Sequence, residues 1–505
     1  MAAAGLAAWA LCVATPLAGL YWPWAPVPKE AAGPDPGVVL RTLALAAGVA
    51  AAAVVLGYWP GQLLGRLRRR TGLALLIVVM PLLLPPHLLW YALSLPLAPS
   101  AALGQAAGRN PALAQALSAL AAWAAMVLWH WPVAALLIAA GWRSLDHETL
   151  DQARLEASAG RRWVSVLLPM LAPSLATAFV ACFVLALAEF ATPHLARVRT
   201  LGAELAVVYE LTRSPEATAR AAWPLIVAAA LAAVFLWRRL RDLSLQPAWP
   251  EEPRRLTRPW AATAALWLLS VGLPAALLAA NLREPHRLVE LAELHRRTFG
   301  WSLAIASASA AAALAMAGGA LALPQLGRGG RVLAAVVQPT LLLAVFLPGS
   351  LLAASVSRLM AALNLGPEVR DQWYPLAAVI AGRFAGLAMV MLHLGQASAD
   401  RRLDELAAAD GAGWLARLWY VHLPTQWPLA AGTLLVLVML GLAELPATII
   451  LLPPGMPSLG QWLLEQMHRL REQAVIATCL ALMLTYAAAA GGLVMLMGLL
   501  RRRRA

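Results

Sequence analysis

DELAAADGAGWLARLWYVHLPTQWP, Asp404 to Pro428, is a polar stretch set between two long apolar segments. Its residues dictate a local shape. DELAAAD consists of strong helix formers, Gly411 permits a sharp turn, and Pro424 and Pro428 punctuate the start of the next helix. Two short helices about a glycine are expected, leading into an apolar span. The simpler alternative is one amphipathic helix lying in a membrane interface.

The surrounding composition fixes the class. Hydrophobic residues make up 61% of 505 positions and charged residues 13%, with a mean hydropathy of +0.70. A soluble chain of this length cannot hide so much apolar surface, which makes this an all-α integral membrane protein. The formal net charge of +14 would suggest nucleic acid in a soluble protein. Here the arginines sit in short loops between apolar segments, the pattern of cytoplasmic anchoring, and no nucleic-acid partner is expected. Cys12, Cys182 and Cys479 lie inside apolar segments without CxxC spacing and read as small core residues. The first twenty residues lack the positive start of a secretory signal and read as a first spanning helix.

Apolar windows of about 20 residues predict twelve spans. They lie near 2–21, 38–58, 71–95, 114–140, 171–190, 221–237, 259–280, 300–322, 332–355, 374–396, 428–452 and 474–499. Alternating sides places Arg66 to Arg70, the 141–170 insert, the 238–258 linker, Arg328 and Arg331, the 398–427 insert and Arg501 to Arg504 together. These denser arginine clusters predict the cytoplasmic side, with both termini inside. The opposite loops also carry Arg283, Arg287, Arg296 and Arg297, partly offset by Glu284, Glu290 and Glu293.

An internal repeat divides the chain. Pro169, Pro173 and Glu189 recur as Pro424, Pro428 and Glu444, each 255 residues later, so LLPMLAP matches HLPTQWP and LAEFAT matches LAELPAT. The expected organisation is therefore a first six-helix half over 1–240, a proline-rich linker over 241–258, and a second half over 259–505. The insert of the first half, LDQARLEASAGRRWVSVLLP, is degenerate. Leu150 stands where the second has Glu405 and Glu156 where it has Gly411, while Val166, Leu168 and Pro169 hold.

The spacing in the second insert, Glu405, Ala407, Gly411, then Val421 and Leu423-Pro424, resembles the "EAA" cytoplasmic loop of ABC importer permeases; Leu406 departs from the alanine usual there. ELPATIILLPPG, Glu444 to Gly455, is similar to the corresponding stretch of the ferric-iron group, and fused permeases also occur in the related thiamine group. The resemblance implies a type I importer-like permease in a bacterial inner (cytoplasmic) membrane. Its partners would be two copies of an ATPase subunit, docked on the inserts, and a periplasmic or surface-tethered binding protein. Its cargo would be ferric iron or another small cation such as thiamine.

The chain itself supplies no route to ATP hydrolysis. A P-loop needs GxxxxGK[ST], and the single lysine, Lys29, lies in VPKEAAG. No catalytic constellation is visible, and no cofactor is expected on this chain. GRGGR, Gly327 to Arg331, reads as a basic turn. His87, His130 and His393 have no metal-ligand spacing and read as packing residues. Trp123, Trp129 and Trp131, with Trp22 and Trp24, read as an aromatic belt.

Glu189 and Glu444 are the residues most out of place. Each lies about sixteen residues beyond Pro173 or Pro428, roughly 24 Å along a helix. A carboxylate at that depth lines a cavity or pairs. The two acids either flank a pathway for a cation or hold local backbone near Pro193 and Pro446. Arg383, also inside a span, has three readings: snorkelling, pairing with an acid, or facing the pathway. A secondary transporter would share the repeats and midplane charges but has no need of two matched cytoplasmic inserts.

Overall fold

The computed structural model describes residues 2–21, 34–67, 71–98, 101–156, 158–212, 215–241, 256–294, 296–397, 401–469 and 472–502. The 241–258 linker lies largely outside them, as do Trp22, Trp24, Lys29 and Arg68 to Arg70. The described residues are mostly helical, without a strand. Among them, eight helical runs are long and apolar enough to cross a membrane: Pro36–Arg66, Pro111–Arg143, Gly160–Ala188, Trp223–Arg241, Thr257–Asn281, Arg296–Phe346, Tyr374–Gln396 and Glu472–Gly492. The chain is thus a multi-pass helical membrane protein.

Of the remaining windows, 2–21 is one short apolar helix with a π-turn at Ala10–Ala14, and the others are helical but interrupted, each at a proline. The 71–95 window breaks into Leu73–Leu82 and Pro86–Leu97, which meet at 77°. Pro85, ahead of Pro86, is extended with φ −54 and ψ 144, because the following ring disfavours helical geometry. Leu347, ahead of Pro348, is likewise extended (φ −88, ψ 142) and sets off Gly349–Ala362. The 428–452 window stops at Leu442 and resumes at Pro446.

The long Arg296–Phe346 run folds back on itself. The Gln338 side-chain amide donates to the Ala320 carbonyl at 3.0 Å, whereas a straight helix would separate these residues by about 27 Å. The reversal lies at Leu323–Leu326 and at Gly327, whose φ is 82. The sequence Gly327 to Arg331, expected as a basic turn, in fact forms the first turn of the Gly327–Phe346 helix. Only its first glycine makes the turn.

Small residues set the central packing. Gly57, Gly61 and Gly65 align four residues apart on Pro36–Arg66 and face Pro111–Arg143. A methyl at Gly57 would stand 2.9 Å from the Trp131 carbonyl, and one at Gly61 would stand 2.8 Å from Ile138. Such close approach lets backbones pack in a bilayer that provides no hydrophobic drive between helices. The Leu168–Ala188 helix packs on both of these, and in the second half Leu423–Leu442 packs on both Arg296–Ala322 and Tyr374–Ala397.

The first helix of each sequence half packs on the other half. Trp9 donates to Thr340 Oγ1 at 3.0 Å, Gly5 lies against Gly319, and the Cys12 carbonyl lies against Gly382. Reciprocally, Trp131 donates to Ser270 Oγ at 2.9 Å, and Leu256 and Leu266 pack with Leu63 and Leu64. The division at the linker is one of sequence, not of space.

Four five-residue π-turns punctuate these helices: Ala10–Ala14, Trp163–Leu167, Leu268–Gly272 and Leu418–His422. π-Helix is rare in proteins. Yet the first and third of these lie 258 residues apart, and the second and fourth 255 apart.

Candidate functional site

The second insert is built as its residues dictate. Arg401–Ala409 is a helix that ends in a Schellman motif. The Ala412 amide donates to the Ala407 carbonyl at 3.0 Å and the Gly411 amide to Ala408 at 3.1 Å, with Gly411 left-handed at φ 76. The spacing of Ala407 and Gly411 is therefore the spacing of a helix stop. Trp414–Arg417 follows, then the π-turn containing Val421, then the Leu423–Leu442 helix, which Leu423 and Pro424 open. Glu405 is exposed, and Ala407 and Val421 are half-buried. Large apolar side chains stand out from the insert: Leu406 is 63% exposed and Tyr420 82%, with Leu403 and Trp419 also exposed.

The first insert shares the frame and differs at the stop. Asp146 caps the His147–Glu156 helix, accepting from the Glu148 and Thr149 amides at 3.3 and 3.2 Å. Ala159–Arg162 and the Trp163–Leu167 π-turn then lead into Leu168–Ala188. Val166 and Leu168 are half-buried and Pro169 is exposed. Leu150, opposite Glu405 in the repeat, is buried with Trp142, Leu145 and Leu171. Where the second insert offers a carboxylate outward, the first anchors itself inward.

At the far ends of the two long helices, the chain breaks in the same way twice. The Glu189 amide donates to Ala186 and the Glu444 amide to Gly441, both at 3.3 Å. Glu189 Oε1 accepts from the Thr192 amide at 3.0 Å and its hydroxyl at 2.8 Å. Glu444 Oε1 accepts from the Ala447 amide at 3.2 Å. Each carboxylate thus caps the short helix that follows, Ala191–Leu195 or Pro446–Leu451, satisfying a donor that a helix start leaves free.

Beyond the short helices, left-handed residues reverse the chain at Arg197 (φ 56) and Gly455 (φ 76). The next helices begin at Leu201 and Leu459. Gly202 lies over the first break, where a methyl would be 3.2 Å from the Glu189 carbonyl, and Gly460 lies over the second at 3.9 Å from the Glu444 carbonyl. These pairs are 258 residues apart, three more than the glutamates. Sequence reasoning passed over the signal that marks them, Thr200-Leu201-Gly202 against Ser458-Leu459-Gly460. Phe190, Ala191, Ala203 and Leu445 form one buried apolar cluster, which brings the two breaks together.

In charge the breaks differ. Arg383 Nη1 donates to Glu444 Oε2 in an ion pair whose side chains are 15% and 3% exposed. Of the three readings of Arg383, this structure places it in a pair with an acid. Gly349, at the start of Gly349–Ala362, leaves the space that the Glu444 carboxylate fills. Glu189 is less buried, has no arginine donor among the described residues, and lies within electrostatic reach of both Arg383 and Glu444.

Among the described residues, no three His, Cys, Asp or Glu side chains are grouped to hold a metal. His130 is buried, its Nδ1 2.6 Å from the Met126 carbonyl, and His393 Nε2 lies 2.8 Å from the Leu240 carbonyl. Trp131, expected in an interfacial belt, is instead fully buried mid-helix because Ser270 satisfies its indole N–H. No family model, curated protein or solved structure matches the chain.

Proposed function

We propose that the chain is the permease subunit of an ABC-type importer in a bacterial inner membrane. Its two six-helix halves would form the translocation pathway, and its inserts would dock two copies of a separate ATPase subunit on the cytoplasmic side. The carrying observation is the second insert, a glycine-stopped helix with exposed Leu403, Leu406, Trp419 and Tyr420, joined through a π-turn to a long apolar helix. The first insert, with the same order of elements, supports a pair of docking sites. The π-turns at offsets of 255 and 258 and the matched helix breaks support a duplicated unit of twelve spans in total.

The geometry supports a direct route for coupling. Leu423–Leu442 has 20 residues, about 30 Å of rigid helix, with the insert at one end and the Glu444 break at the other. Leu168–Ala188 stands in the same relation to the first insert and Glu189. Movement of an insert, driven by ATP hydrolysis on the partner, would reach the paired breaks without a flexible joint. A binding protein on the opposite side delivers a cationic cargo, with ferric iron and thiamine the two classes considered.

The test is a photo-reactive residue at Leu406 in the full-length chain, expressed in its own membranes. Capture of a subunit carrying a P-loop, together with co-purifying vanadate-sensitive ATPase activity, is the expected result. Buried charge at the breaks favours one other reading, a secondary transporter. Uptake into vesicles that follows an ion gradient and needs no ATP would establish that reading and end the first.

A further inference from the structure

The two equivalent carboxylates differ in what neutralises them, and this bears on cargo. Arg383 occupies Glu444, and Gly349 closes over the pair. The position 255 residues before Arg383 is Leu128, so the first half provides no guanidinium of its own. Thr192 takes one oxygen of Glu189, and the other has no partner among the described residues. Two carboxylates and one guanidinium are gathered where the breaks pack together; with both acids ionised they sum to one net negative charge.

Uncompensated charge inside a bilayer is costly and draws a partner of opposite sign. A single positive charge balances this cluster. A trivalent ion would overshoot by two, and an anion would add to the imbalance. A metal also needs several oxygen or nitrogen ligands, and no such group is assembled among the described residues. A nitrogen cation needs only acceptors, and a guanidinium already sits on one carboxylate of the cluster.

We propose that Glu189 is the acceptor for a monovalent, nitrogen-based organic cation, and that Arg383 sets this class by standing as a built-in cation on Glu444. The proposal rests on the permease reading and narrows its cargo away from ferric iron.

The experiment uses the purified full-length chain in lipid nanodiscs and reads the thermal unfolding midpoint at constant ionic strength. Methylguanidinium, lanthanum ion and calcium ion are the probes. Methylguanidinium should raise the midpoint saturably, and lanthanum should not. Glu189→Gln, which keeps an acceptor oxygen for Thr192, should abolish the shift. Arg383→Met should move the preference to calcium, matching a net charge of two. Arg383→Met with Glu444→Gln returns the cluster to one negative charge and should restore the methylguanidinium shift, whatever the single variant's stability.

An unshifted wild type, a shift that survives Glu189→Gln, or stabilisation by lanthanum would overturn the proposal. Capture of the ATPase through Leu406 is unaffected by any of these results. The cargo class and the permease reading therefore fail separately.

Discussion

Gly349 and Glu444 are locked by space: the carboxylate occupies the position where any other residue at 349 would carry its Cβ. Gly349→Ala should cost about 1–3 kcal/mol, the usual range for overpacking, and should displace the carboxylate from Arg383. Glu444→Ala removes the obstructing atoms, so the double variant should show a coupling of about 0.5–3 kcal/mol. Thermal unfolding of the four proteins in one detergent measures it, and strict additivity would refute the lock.

Gly411 stops its helix at positive φ with no neighbour within 4 Å of an added Cβ, so strain alone governs substitution. Gly411→Val should disfavour that conformation by about 1–2 kcal/mol and, on the proposed permease reading, lower ATPase coupling while the chain still inserts. Gly160, helical and equally open in the first insert, should accept alanine with a gain of about 0.5–1 kcal/mol. Equal loss at both positions, measured as ATPase activity in reconstituted vesicles, would contradict the asymmetry of the inserts.

The same asymmetry separates Leu150 from Glu405. Leu150 is buried and Glu405 exposed, although they stand 255 residues apart, at the offset of Pro169 and Pro424. Leu150→Ala should lower stability by about 2–5 kcal/mol. Glu405→Ala should leave stability within about 0.5 kcal/mol and, on the proposed permease reading, reduce the partner ATPase's activity instead. Unfolding midpoint and ATPase rate, read on the same preparations, distinguish the two effects.

Arg197 holds a left-handed conformation, as does Gly455, 258 residues later. Gln115 supports the turn, donating to the Arg197 carbonyl at 3.1 Å. Relief of about 1–2 kcal/mol of backbone strain, set against about 0.5–1 kcal/mol of added chain freedom, gives Arg197→Gly a small net gain. A raised unfolding midpoint checks it, and a lowered one would show that the arginine side chain contributes more than its backbone costs.

Membrane class and the helix–glycine–helix insert were legible because each depends on local chemistry: apolar length, helix propensity and a glycine at the right spacing. The match between the two parts of the sequence was legible at Pro169, Pro173 and Glu189, where one offset serves. It faded beyond Glu189 because the second half holds three extra residues before Gly455, which hides the match of Thr200-Leu201-Gly202 to Ser458-Leu459-Gly460. The partner of Arg383 was not legible. Pairing with Glu444 depends on the missing side chain of Gly349, 95 residues earlier in the chain, a relation only the fold creates. Trp131 misled for the same reason, since Ser270 reaches it from the other half.

The exchanged first helices have a consequence for biosynthesis. The apolar helix Ala3–Gly19 is made long before the residues it rests against, Gly319, Thr340 and Gly382. Those partners emerge about 300 residues later, roughly 15–60 s at ordinary rates of chain elongation. Throughout that interval the small-residue face of this helix has none of these partners to fill it. Gly5 and Gly19, which fit Gly319 and Ser355 in the finished protein, therefore face a kinetic hazard set by the order of synthesis.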